Sequence, residues 1–172
     1  MQKIVLLPLL LFVIVTKVFT QDLNKVIYDE DAEQEILIGY SDTEGLLQEP
    51  FSSWFVPNYE SYETDLSAFM EFNSEKLDDI HIIAVIATWC SDTRRQLPRF
   101  LKVLEDLDYN KHRLAMIAVD MTKENAGEFD ISELDIEYVP TFIFYEGKDE
   151  LGRIIEKPET SIETDIVNIV SQ

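Results

Sequence analysis

An apolar run, Ile82-Ile83-Ala84-Val85-Ile86-Ala87, stops at Thr88 and is followed at once by Trp89-Cys90-Ser91-Asp92-Thr93. A run rich in β-branched residues and closed by polar ones reads as a buried strand, predicted here over His81–Thr88. The next stretch changes period. Leu97, Phe100, Leu101, Leu104 and Leu107 fall on one stripe, which predicts an amphipathic helix from Asp92 to about Asp108. A strand that hands over directly to a helix points to an α/β layer fold. It also places Cys90, the single cysteine among 172 residues, at a helix N-terminus. Unpaired backbone N–H groups and the helix dipole stabilise negative charge there, and the anion is the form in which sulfur attacks.

The alternation continues downstream. Leu114–Val119 reads as a second strand ending at Asp120, and an irregular stretch follows. Thr141–Tyr145 is a strand, Glu146-Gly147-Lys148-Asp149 a turn, Leu151–Glu156 a further strand and Ser161–Val170 a closing amphipathic helix. The order predicts a mixed β-sheet flanked by helices. Upstream, residues 22–35 are polar and acidic and read as a solvated lead-in. Ile36–Tyr40 is a strand candidate, Thr43–Leu47 a short helix ended by Pro50. Phe51, Trp54, Phe55, Tyr59 and Tyr62 form an aromatic group expected to cap the edge of the core. Leu66, Phe69, Met70 and Leu77 predict a helix over Glu63–Leu77.

Composition limits the partners. A formal charge of −20 argues against nucleic acid and anionic membrane surfaces, while 46% hydrophobic and 11% aromatic residues argue for a packed core. The first residues carry a targeting pattern: a basic Met1-Gln2-Lys3, an apolar Ile4–Val15, and Val18 and Thr20 as the small positions before a cleavage at Gln21. Residues 1–20 are therefore expected to be a signal peptide, with an uncleaved anchor as the alternative. No stable membrane insertion is expected after cleavage, and the product would be periplasmic or secreted. Exported proteins tend to pair their cysteines, so a lone one is either buried and inert, bound to another molecule, or kept for reaction.

Three features in order resemble the thioredoxin superfamily. Trp89-Cys90-x-x-Thr93 is similar to its redox motif, Pro98 sits where its first active-site helix carries a proline, and Val139-Pro140-Thr141 resembles its cis-proline loop. The likeness spans roughly residues 64–171, with residues 21–62 an N-terminal extension packed on a domain of residues 63–172. More narrowly, Trp89–Arg95 and Leu151–Glu156 resemble exported thioredoxin-like proteins of Bacteroidetes-type bacteria. The resemblance implies a thioredoxin fold, Cys90 as nucleophile, and Trp89, Val139 and Pro140 as a substrate-facing surface. It also marks two departures. Thr93 stands where a dithiol thioredoxin has its resolving cysteine, and Ala84 replaces the buried aspartate that serves it.

One thiol can still attack a disulfide, with an external thiol needed to release the mixed disulfide. Thr93 is expected to donate a hydrogen bond to the Cys90 sulfur; Arg94 and Arg95 support its negative charge and Asp92 opposes it. A salt bridge from one of these arginines to a local carboxylate is expected to contribute little. Asp120 reads as a turn cap. His81 and His112 have no ligand-spaced companions, so no metal, cofactor or Cys–His pair is assigned. The first reading is monothiol thiol–disulfide exchange on protein or low-molecular-weight disulfides, as mixed-disulfide reduction or isomerisation. The alternative is a redox-inactive module that binds a peptide or protein partner.

Overall fold

The computed structural model describes residues 22–172; the expected signal peptide lies outside them. Among the described residues, seven strands and four α-helices follow in chain order: β1 (Val26–Asp29), β2 (Gln34–Leu37), β3 (Gly39–Ser41), α1 (Thr43–Leu46), α2 (Ser52–Glu60), β4 (Ile80–Ile86), α3 (Ser91–Asp106), β5 (Leu114–Ala118), β6 (Thr141–Glu146), β7 (Asp149–Ile155) and α4 (Ile162–Val170). Five strands form a mixed sheet in the order β3-β5-β4-β6-β7. Only β4 and β5 run parallel, joined through α3; the other pairs are antiparallel. β1 and β2 make a separate hairpin.

Strand β4 shows why the sheet has two cores. Side chains alternate across a strand, so Ile80, Ile82, Ala84 and Ile86 face one side and Val85 the other, with Ala87 following it. The first side is covered by Phe51 and Phe55 of the α2 region, by Leu97, Phe100 and Leu104 of α3, and by Ile162, Ile166 and Ile169 of α4. Phe100 and Phe142 stack at its centre, 3.9 Å between ring centroids and 9° between planes. The second side is smaller. Residues of the irregular segment 120–139, among them Ala126 and Ile131, pack there on Val85, Ile117 and Val119.

Several expectations need correction upstream of β4. Ile36–Tyr40 is not one strand: Gly39 adopts φ +80°, and the chain passes there from the hairpin into the sheet. A Cβ at Gly39 would be 3.5 Å from the Ala126 carbonyl oxygen, which is ordinary contact, so the backbone angle rather than space favours glycine. The lead-in contains strand β1, whose Val26 and Tyr28 are exposed. The aromatic group, expected to cap the edge of the core, lies on and beside helix α2: Phe51 and Phe55 enter the main core at 2% exposure, and Trp54, Tyr59 and Tyr62 pack half-buried against it. Pro57 lies inside that helix, where it supplies no N–H; Asn58 Nδ2 donates to the Trp54 carbonyl at 2.8 Å. The helix expected over Glu63–Leu77 is two short 3-10 turns, Leu66–Phe69 and Ser74–Asp79, capped by Asp65 and Asn73. Leu66 and Met70 are 54% and 82% exposed, so the apolar spacing buries no stripe.

The end of α3 is tied to α2 and its exit by polar contacts. Tyr59 Oη donates to Glu105 Oε2 at 2.5 Å, and Thr64 Oγ1 donates to Asp106 Oδ2 at 2.6 Å. Lys102 lies 3.2 Å from Glu105 and 3.1 Å from Asp106. The Tyr59 bond first, then Lys102, holds the Glu105 carboxyl below its ordinary value; the Thr64 bond does the same for Asp106. Both groups ionise more readily in the folded chain than in the unfolded one. Their contribution is therefore fully present above the ordinary carboxylate range and is lost as pH falls through their lowered folded values. Glu105 is nearly half exposed, so screening reduces the effect to roughly a few tenths of a kcal/mol per group. We expect Glu105→Gln/Asp106→Asn to be less stable than the parent at neutral pH in chemical denaturation, with the difference shrinking as the pH is lowered into the acid range.

Candidate functional site

Cys90 is the N-cap residue of α3, with φ −80° and ψ 131°, and its side chain makes no capping hydrogen bond. Its backbone is fixed at both ends: Cys90 N donates to Ala87 O at 2.9 Å and Arg94 N to Cys90 O at 3.0 Å. The sulfur is half-buried and free of any disulfide. It faces across the end of the sheet to the loop before β6, where the thiol donates to the Val139 carbonyl at 3.3 Å. The Val139-Pro140 peptide is cis, as the resemblance implied for this loop. Val139 buries its side chain, yet its backbone N–H has no partner among the described residues. Trp89 donates from Nε1 to the Val119 carbonyl at 3.1 Å, which holds the half-buried indole beside the thiol at the end of β5.

Thr93 does not meet the sulfur. Its side chain is fully buried, and Oγ1 accepts from Ala87 N at 3.3 Å. The hydroxyl of a first-turn residue points back over the helix start, so here it ties α3 to the end of β4 and keeps the Cys90 turn in place. Arg94 is also used structurally: Nε donates to the Thr88 carbonyl at 2.8 Å and Nη2 to Gln34 Oε1 at 2.6 Å. The guanidinium also stands 5.9 Å from the centre of the Trp54 ring. With Leu37 N donating to Thr88 Oγ1 at 3.1 Å, these contacts fasten the N-terminal hairpin to the strand–helix junction. Arg95 and Asp92 form an exposed pair at 2.8 Å, the local salt bridge expected of this helix face. Asp120 Oδ1 accepts from Thr122 and Lys123 N–H groups, as a turn cap does.

Gln34, Trp54 and Thr88 were not read from the sequence as part of this region. Thr88, a polar residue ending an apolar run, is the one that carried a signal. A segment that shares the thiol's small core was also missed: Phe129, Leu134 and Ile136 pack partly buried on the same cluster as Trp89 and Cys90. Among the described residues, no group of three or more His, Cys, Asp or Glu side chains is arranged to hold a metal ion. No described helix is long and apolar enough to cross a membrane.

The family model named Thioredoxin matches residues 62–170, which contain the Cys90 turn, the cis-proline loop and four of the five strands of the sheet. The chain belongs to the thioredoxin family. Its remaining sheet strand, β3, comes from the N-terminal extension, which thus contributes to the sheet of this thioredoxin-like protein. None of the curated proteins matches the sequence. Among solved structures, the chain is similar to a protein of unknown function from Pseudomonas aeruginosa, at 14% identity over 70% of this chain and 81% of that one, TM-score 0.45. It is also similar to Trxlp from Edwardsiella tarda, at 21% identity over 61% of this chain and 94% of that one, TM-score 0.37. Mitochondrial thioredoxin 3 from Saccharomyces cerevisiae matches at 22% identity over 57% of this chain and 86% of that one, TM-score 0.33.

Proposed function

We propose that this thioredoxin-like protein is exported and carries out monothiol thiol–disulfide exchange through Cys90. The observation that carries the reading is the half-buried sulfur at a helix N-terminus, 3.3 Å from the carbonyl of the residue before a cis-proline. Export rests on the pattern of residues 1–20. In this reading a substrate chain lies along the loop and pairs with the Val139 backbone, with Trp89 and Pro140 beside it.

In the first step the Cys90 sulfur, having given its proton to solvent, attacks one sulfur of a disulfide. The new Cys90–S bond forms as the old S–S bond breaks, and the other half leaves as a thiolate that takes up a proton. Thr93 has no thiol, so this adduct cannot collapse within the chain. A second thiolate, from a low-molecular-weight thiol or another cysteine of the client, attacks the mixed disulfide and expels Cys90 in its starting form. The reaction then isomerises a client or transfers its disulfide to the external thiol. Thr93 acts as a positioning residue through its bond to the Ala87 N–H. Arg94 and Arg95 place positive charge near the helix start.

Charge around the thiol gives the reading a test. The segment that packs on the same small core as Cys90 carries Glu124, Glu128, Asp130, Glu133, Asp135 and Glu137, all exposed, against one lysine, Lys123. Such a field attracts cationic disulfides and repels anionic ones within about a Debye length, about 10 Å at 0.1 M salt. At low ionic strength we expect the dication cystamine to form the Cys90 adduct about tenfold faster than the dianion dithiodiglycolate, with the ratio collapsing toward the free-thiol ratio in about 1 M salt. Equal relative rates at low salt would count against client access past this segment.

A further inference from the structure

A second concavity lies away from the thiol, between α2, the C-terminal half of α3 and the sheet edge at β3 and β5. Its volume is about 630 Å³, within the range of small-molecule sites, about 300–1,000 Å³. The floor is apolar: Phe55, Leu101, Leu104 and Met116 are buried beneath it, and half-buried Val56 and Leu114 extend it to the mouth. The rim is acidic. Asp42, Glu44, Glu60 and Glu105 line it; Lys111 is the one cation among the lining residues, and Lys102 stands beside them, paired with Glu105. Asp42 is used in capping α1, and Glu105 is bonded to Tyr59 and Lys102. Among the described residues, the side chains of Glu44 and Glu60 have no hydrogen-bond or ion-pair partner.

Two helix ends add to this charge. α2 terminates at Glu60 and α3 at Asp106, and neither has a basic residue in its last turn. The carbonyl end of a helix carries partial negative charge and is normally complemented by a cation. Glu60 and Glu105 bring both helix ends to the cleft; Lys102 pairs with Glu105 and Asp106 at the end of α3, and Lys111 is the cation among the lining residues, which leaves Glu44 and Glu60 without a cationic partner.

We infer that this cleft binds a small organic cation, an amine carried on an aromatic or branched apolar body, with the body on the Phe55–Leu104–Met116 floor and the ammonium at the Glu44–Glu60 rim. A neutral molecule of the same shape gains only the floor, and an anion meets the rim's repulsion. The site is separate from Cys90 and does not depend on exchange chemistry.

Three probes with one ring system test it on the whole protein: tryptamine as cation, tryptophol as neutral isostere and indole-3-acetate as anion, followed by calorimetry and by amide chemical shifts. We expect saturable binding of tryptamine, with shifts grouped at Val56, Leu104 and Met116. Its affinity should exceed that of tryptophol by about tenfold at low salt, and indole-3-acetate should be weaker still. The substitution Glu44→Gln/Glu60→Gln alters exposed positions and should remove the cation preference while leaving tryptophol binding in place. Protein alkylated at Cys90 should bind tryptamine unchanged, which separates this site from the proposed exchange centre. Equal affinity for tryptamine and tryptophol, shifts that map outside the cleft, or no saturable tryptamine binding would each overturn the inference.

Discussion

Replacing Cys90 by serine is expected to abolish mixed-disulfide formation: incubation with cystamine should leave the mass of the variant unchanged, whereas the parent gains one half-disulfide. Circular dichroism should show the same fold. The thiol is half-buried and makes one hydrogen bond, to Val139 O, so a hydroxyl of similar shape should change stability by no more than about 1 kcal/mol. That combination matters because loss of capture from unfolding would be uninformative. No other thiol exists in the chain to substitute for Cys90, so any adduct that survives the substitution would remove the basis of the exchange reading. The prediction extends to catalysis. With a thiol such as cysteamine as final acceptor, the parent should accelerate reshuffling of a scrambled disulfide protein, and the serine variant should match the rate without protein.

A second large effect concerns the core. Phe142 and Phe100 are 1% and 0% exposed, and their stacked pair is met edge-on by Phe144, whose centroid is 6.1 Å from that of Phe100. Phe142→Ala removes the ring from the centre of the helix-covered face, where β4, β6 and α3 all pack. A buried Phe→Ala change costs about 3–5 kcal/mol, through lost transfer energy and the cavity left behind. Against a total stability of about 5–15 kcal/mol this is a major fraction. For a chain of this size it corresponds to a fall of roughly 6–20 °C in Tm. Calorimetry on the parent and the variant decides it. A drop under about 1 kcal/mol would mean that the stacked pair does not sit in the cooperative core.

The regions legible in the sequence were those where one physical signal dominated. β4, α3, β5, β6, β7 and α4 each carry an uninterrupted period or an apolar run, and their bounds fall within a few residues of expectation. The stretch 22–77 was harder because its signals conflict. Leu66, Phe69, Met70 and Leu77 have helical spacing, but Asp65 and Asn73 bond their own downstream N–H groups and hold the chain in short turns. α2 hides behind Pro50 and Pro57, and β1 has no buried face to give it a period. At the site, Cys90 and the cis Val139-Pro140 bond were readable from local motifs. The destination of Arg94 was not, because its partner Gln34 lies 60 residues away and only the folded hairpin brings it near. Spacing puts Thr93 in the first turn, but its hydroxyl meets the Ala87 N–H instead of the Cys90 sulfur. Spacing gives the turn, whereas the rotamer that directs Oγ1 to Ala87 depends on packing.

Iodoacetamide alkylation asks whether Cys90 is a nucleophile reachable in the folded protein. The rate should be measured across pH on native protein and on the same chain unfolded in denaturant. Native Cys90 is expected to react at neutral pH at least as fast as the unfolded chain, and prior reaction with cystamine to block the label. Alkylation confined to unfolded protein would mean a thiol sealed beneath the cis-proline loop. In that case the chain would be a binding module without exchange chemistry.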